Sequence, residues 1–112
     1  MKQIVFFGLF LLIMSNVLAL SPEESAVLVT AAVQDNPPQI TLLWKPFTGD
    51  VSYRIYKHSN GPNSNWGSAI ATLPNTATQY IDTDVQEGVV YEYHIARGNE
   101  GDGYIASGIN VP

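Results

Sequence analysis

The residues of this chain whose types could do chemistry are His58 and His94, the acidic pairs Asp82/Asp84 and Glu100/Asp102, and the indole of Trp66 within Asn-Ser-Asn-Trp-Gly. Two imidazoles two or four residues apart would offer a metal pair, but neither histidine has such a neighbour. Both read as solvated surface imidazoles, His58 beside a polar loop and His94 pointing outward from a strand. Asp82 and Asp84 flank Thr83 and could face a cation together, yet aspartate at a strand end is commoner as a turn cap. Glu100 and Asp102 lie among glycines without the regular alternate-oxygen spacing of a calcium loop, so they read as a charged, flexible hairpin tip. Trp66 sits beside amides, an arrangement on which a pyranose ring can stack; alternatively the indole covers apolar surface at the start of the next strand. No nucleophile, base and orienting group converge in sequence. We expect no enzyme activity, no cofactor and no metal.

The elements that must position these side chains are strands. Ile40, Leu42 and Trp44 alternate with Thr41 and Leu43, and Tyr53 and Ile55 alternate with Arg54 and Tyr56. Val89, Tyr91, Tyr93 and Ile95 repeat the pattern before Arg97-Gly98-Asn99-Glu100-Gly101-Asp102-Gly103 interrupts it. A period of two means one buried face, and the glycine-rich run reads as a loop. Residues 25–33, then AIATL, TQYID and GYIASGINVP, supply the remaining strands, for about seven in all. The turn between the first two, Asp35 to Gln39, looks long. Seven short alternating strands with no helix among them imply an all-β, immunoglobulin-like two-sheet sandwich of antiparallel strands.

The N-terminal segment differs from everything after it. MKQIVFFGLFLLIMSNVLAL has one basic residue, an apolar middle and small residues at Val17-x-Ala19, the layout of a secretory signal peptide. We expect residues 1–19 to be the signal and 20–112 the domain, with cleavage after Ala19 and a secreted product that has no membrane span. The chain of 112 residues has a formal charge of −5, with 10 acidic against 5 basic residues. That balance argues against nucleic acid as a partner. Cysteine is absent, so neither disulfides nor thiol chemistry are available, and a core alone must hold the exported fold.

The succession Ile40-x-Leu42-x-Trp44-x-Pro46, Tyr53-Arg54-Ile55-Tyr56 and Tyr80-x-Asp82-x-x-Val85-x-x-Gly88-x-x-Tyr91-x-Tyr93-x-Ile95 resembles a fibronectin type III domain across nearly the whole chain after residue 19. It is more similar to the copies in microbial extracellular proteins than to animal matrix repeats. The resemblance implies that Trp44 lies in the core and that Val85, Gly88 and Tyr91 form a tyrosine corner, in which a buried phenol bonds to backbone at the preceding turn. Glu87 departs from the proline common before the glycine. The integrin-binding Arg-Gly-Asp of some animal members is Arg97-Gly98-Asn99 here and lacks the carboxylate. The family implies a non-enzymatic module for protein interaction, adhesion or spacing, and alternatively a carbohydrate-contacting accessory domain of a polysaccharide-degrading enzyme. The expected partner is a protein or an extracellular glycan. The expected partner surface is Phe47, Arg97 and Asn99 at one end of the sandwich, with Trp66 at a separate edge.

Overall fold

A computed structural model describes residues 26–59 and 65–110. The segment read as a signal peptide and the four loop residues preceding Asn65, together with Asn60, lie outside the described residues. Seven strands follow one another: β1 (Val29–Asp35), β2 (Pro38–Trp44), β3 (Tyr53–Ser59), β4 (Ala71–Leu73), β5 (Gln79–Asp82), β6 (Val90–Arg97) and β7 (Gly101–Gly108). They form a three-stranded sheet in the order β1-β2-β5 and a four-stranded sheet in the order β4-β3-β6-β7, every pairing antiparallel. This is the all-β two-sheet sandwich that the alternation implies.

Each sheet contributes its apolar parity to one core. Ile40, Leu42 and Trp44 of β2 face Tyr53 and Ile55 of β3 and Tyr91, Tyr93 and Ile95 of β6, with Val27, Val85 and Ile109 closing the ends. Trp44 and Tyr53 touch across the sheets with ring centroids 5.3 Å apart, and the Trp44 indole N–H donates to Ala77 O at 2.9 Å. At roughly 1.5–3 kcal/mol for each fully buried large side chain, such a set offsets much of the ordering entropy without a disulfide.

Three local expectations are corrected. The first turn is short, not long: Asp35 pairs with Pro38, leaving only Asn36 and Pro37 between the strands, joined by a cis peptide bond. Two consecutive prolines conceal this in the sequence, because they read as loop when one of them opens a strand. Second, Ala26–Leu28 does not belong to β1. Ala26 makes a parallel bridge to Asp102 and Val27 N donates to Asp102 O at 2.9 Å, so this segment runs against the four-stranded sheet before β1 joins the other.

Third, the glycine-rich run is mostly strand. β6 ends at Arg97 and β7 starts at Gly101, so only residues 98–100 form the hairpin tip. Gly103 is buried within β7, where a Cβ would collide with the backbone carbonyl of Val27. A glycine inside a strand marks close approach of another backbone, and here that backbone is the crossing N-terminal segment.

Candidate functional site

Strands β3 and β6 present opposite chemistries on their two faces. On the inner face, Lys57 continues the parity of Tyr53 and Ile55 and meets Asp82 at the end of β5, with Nζ 2.7 Å from Oδ2. Both side chains are nearly covered, at 11% and 4% exposure. Tyr93 donates its hydroxyl to the same Asp82 Oδ2 at 2.7 Å, while Asp84 N donates to Oδ1 at 3.1 Å. Lys57 also donates to Asp84 O and lies 4.6 Å from the centroid of the Tyr91 ring. Burial, then the hydrogen bond to Asp82 and its charge, push the Tyr93 phenol well above its ordinary range. Burial and the charges of Asp82 and Asp84 raise the Tyr80 phenol as well.

This arrangement ties the two sheets together, since Lys57 and Tyr93 of one meet Asp82 of the other. Both carboxylate oxygens of Asp82 are engaged, and its Oδ1 caps the strand end by accepting from the Asp84 N–H. Among the described residues no group of three or more His, Cys, Asp or Glu could hold a metal. Beside this network, Gln86 N donates to Tyr91 Oη at 3.0 Å. Gly88 takes a left-handed φ of 82° and its N–H reaches Ile109 O at 2.9 Å, with Val85 buried below. Tyr91 therefore bonds backbone five residues upstream.

The outer face of the same strands carries a grid of side chains fixed by register. His58, Glu92 and Ala106 form one row across β3, β6 and β7. Tyr56, His94 and Tyr104 form the next, and Arg54, Ala96 and Asp102 the third. In the middle row the rings stack: His94 and Tyr104 centroids are 4.4 Å apart at an interplanar angle of 5°, and Tyr56 and His94 are 5.2 Å apart at 22°. Trp66 lies over two rows, with centroid distances of 4.1 Å to His58, 5.7 Å to His94 and 6.1 Å to Tyr104.

Polar contacts hold the imidazoles in place. His94 Nε2 lies 2.7 Å from Asp102 Oδ1. His58 Nδ1 lies 2.9 Å from Ser59 O. Since that carbonyl can only accept, the Nδ1 carries the proton, which leaves Nε2 directed at Glu92 Oε2 3.9 Å away. The histidine side chains are only 15% and 19% exposed, so neither is the solvated imidazole that its isolated position in sequence suggests.

Of the partner surface read from sequence, Phe47, Arg97 and Asn99 do share one end of the sandwich, since Gly98 N donates to Ser52 O and the hairpin tip packs on the segment after β2. Arg97, however, is not an exposed group. It is 4% exposed, its guanidinium 3.6 Å from the centroid of the Phe47 ring, because it continues the inward parity of Tyr91, Tyr93 and Ile95. Asn99 is exposed on the hairpin tip. Trp66 is half-buried and stands on the outer sheet face, not at a separate edge. Its gathering with His58, His94 and Tyr104 escaped sequence reasoning, since it depends on the β3-β6-β7 register; the outward parity of Tyr56, His58 and His94 was its only local sign.

No protein-family model matches the chain. Three proteins resemble part of it. The amylopullulanase of Thermoanaerobacter thermohydrosulfuricus is 36% identical over 83 residues, covering 66% of this chain and 5% of that protein. The amylopullulanases of Thermoanaerobacterium thermosulfurigenes and Thermoanaerobacterium saccharolyticum are 32% and 30% identical, each over 81 residues and 66% of this chain, and 4% and 6% of those proteins. The chain thus spans only a small part of the length of the relatives it matches. No helix among the described residues is long and apolar enough to cross a membrane.

Proposed function

We propose that this chain is an exported, non-catalytic module of fibronectin type III kind that works as an accessory to polysaccharide degradation, keeping contact with the polymer and leaving its cleavage to an enzyme. The observation that carries this reading is the similarity to short segments of three amylopullulanases, enzymes named for action on amylose-type chains and pullulan. A segment that is 4% to 6% of such a protein is the size of an appended module. The tyrosine corner of Val85, Gly88 and Tyr91, closed by the Gln86 N–H, supports the fibronectin type III assignment. The apolar N-terminal segment supports export.

The test is affinity electrophoresis of the purified protein through gels containing pullulan or amylopectin. Slowed migration relative to albumin, with no release of reducing sugar on prolonged incubation, is the expected result. Unchanged migration in both polymers removes the polysaccharide reading. A role in protein contact would then rest on the end that carries Phe47 and Asn99, where alanine at both positions should abolish capture of any partner found by pull-down.

A further inference from the structure

The geometry points to the outer face of β3, β6 and β7 as a binding site for a neutral glucan chain, with Trp66 and Tyr104 as the rings on which pyranose units stack. This rests on the accessory reading above and names its site. Tyr104 is 63% exposed although one of its ring faces lies on His94. The exposed area is therefore its other face and edge. β7 is the outer strand of its sheet, and Ala26 and Val27 run along its free edge at Asp102 and Gly103.

Trp66 is oriented by three ring contacts instead of being left as a mobile side chain, so little rotamer freedom remains to be lost when a sugar binds. An axial C–H face of a pyranose is apolar and slightly positive, and an aromatic face complements it. The hydroxyls around such a ring need acceptors at its edge. Asp102 and Glu92 provide them: their side chains are 59% and 40% exposed beside the rings, each already close to an imidazole that fixes its position.

Charge selects the class of ligand. The rim carries Glu92 and Asp102, with Glu100 on the adjacent hairpin tip, against one arginine, Arg54, whose guanidinium lies over the Tyr56 ring and donates to Gly98 O, and the chain as a whole carries a formal charge of −5. Uronic-acid polymers and acidic peptides would bring carboxylates against that rim, whereas a neutral glucan brings only hydroxyl donors. An acidic rim around stacked rings therefore favours an uncharged polyol chain over a polyanion.

The experiment measures retardation of the whole protein in gels of graded pullulan concentration, with polygalacturonate as the anionic comparison. Tyr104→Ala should weaken binding by about tenfold, and Trp66→Ala by at least as much, the loss expected when one ring contact is removed. Tyr104→Phe keeps the ring and should bind as wild type. Thr30→Ala, on the exposed face of the three-stranded sheet, should change nothing. Tyr104 is exposed enough for its alanine variant to keep the wild-type melting temperature, so it decides the matter even if Trp66→Ala loosens the fold. Wild-type retardation that both alanine variants retain would overturn this site while leaving the accessory reading intact. Equal retardation by polygalacturonate would overturn the charge argument and the proposal with it. No retardation of the wild type in any neutral glucan would end both readings together.

Discussion

The inner and outer faces of β3 and β6 are built from alternate residues of the same fifteen or so positions, yet they use polar groups in opposite ways. Inside, Lys57, Asp82, Tyr91 and Tyr93 find hydrogen-bonding or ring partners within the molecule, and the arrangement joins the two sheets. Outside, rings touch neighbouring rings and a few polar groups, the Arg54 guanidinium over Tyr56 among them, and Tyr104 keeps most of its surface open. A polar group that is completely engaged contributes stability and specificity of fold. One that is fixed in place but left partly open can recognise something. Substitutions on the inner face should therefore move the melting temperature and leave glucan binding alone, and those on the outer face should do the reverse.

The largest effect should come from Lys57→Met. It leaves the Asp82 carboxylate almost wholly buried with Tyr93 and one backbone N–H but no counter-charge, and removing one partner of a buried ion pair costs about 3–5 kcal/mol. The double variant Lys57→Met with Asp82→Leu removes both charges and should recover much of that loss. Urea unfolding of the three proteins measures it. If the single variant is as stable as wild type, the inner network is not the clamp described here.

Second in size is Tyr93→Phe, whose effect depends on pH. The folded phenol ionises well above the ordinary value of 10.0 because it is buried beside Asp82, whereas the unfolded one does not. Above pH 10 the unfolded chain therefore holds fewer protons than the folded one. Stability that is complete below that pH should then fall as pH rises, by at most about 1.4 kcal/mol per pH unit from this group. Tyr80, shifted in the same direction, adds a smaller slope. Thermal melts between pH 9 and 11 should show a shallower decline for Tyr93→Phe than for wild type. Parallel declines would mean that Tyr93 ionises alike in both states.

Both of these residues expose what the sequence discloses and what it withholds. Alternation alone placed Tyr53, Ile55, Tyr91, Tyr93 and Ile95 inward, and the same parity, carried one step further, places Lys57 and Arg97 inward too. Charge masked them, since a lysine or arginine at a strand end reads as the exit from the core unless its partner is known. Those partners, Asp82 and Phe47, are distant in sequence and come near only through the sheet-to-sheet arrangement. The outer ring cluster was hidden for a related reason. His58, Trp66, His94 and Tyr104 sit on three strands and a loop, and a shift of one residue in either pairing would have scattered them. Gly103 illustrates a third limit: no local pattern tells that Val27 will pass against it.

Smaller again is Tyr91→Phe. Its hydroxyl accepts from Gln86 N, and deleting it strands that donor at a part-buried turn, for a loss of roughly 1–3 kcal/mol. The fold should stay assembled, with an unchanged denaturant slope, because Val85 and Gly88 still shape the corner. Chemical denaturation checks it, and a harmless substitution would mean that the corner is held by packing instead of by the phenol.

The smallest effect, and the one that could reverse in sign, belongs to the third inward tyrosine. Tyr53 is 1% exposed, packed against Trp44, and its hydroxyl has no hydrogen-bond partner among the described residues. A buried hydroxyl that has left water without gaining a partner is a cost to the folded state, of the order of 1–3 kcal/mol before any compensation by a bound water. Tyr53→Phe removes that group while keeping the ring against Trp44 and the pairing with Arg97 and Leu73 across the sheet. The change should thus be neutral or stabilising, in contrast to the same deletion at Tyr91 and Tyr93 on the adjacent strand. Three phenols on one face of one sheet, ranked by the partner each hydroxyl has, should give three graded outcomes under identical chemistry. A Tyr53→Phe protein that unfolds at clearly lower urea than wild type would show that its hydroxyl is satisfied in solution, and the ranking by partner would fail.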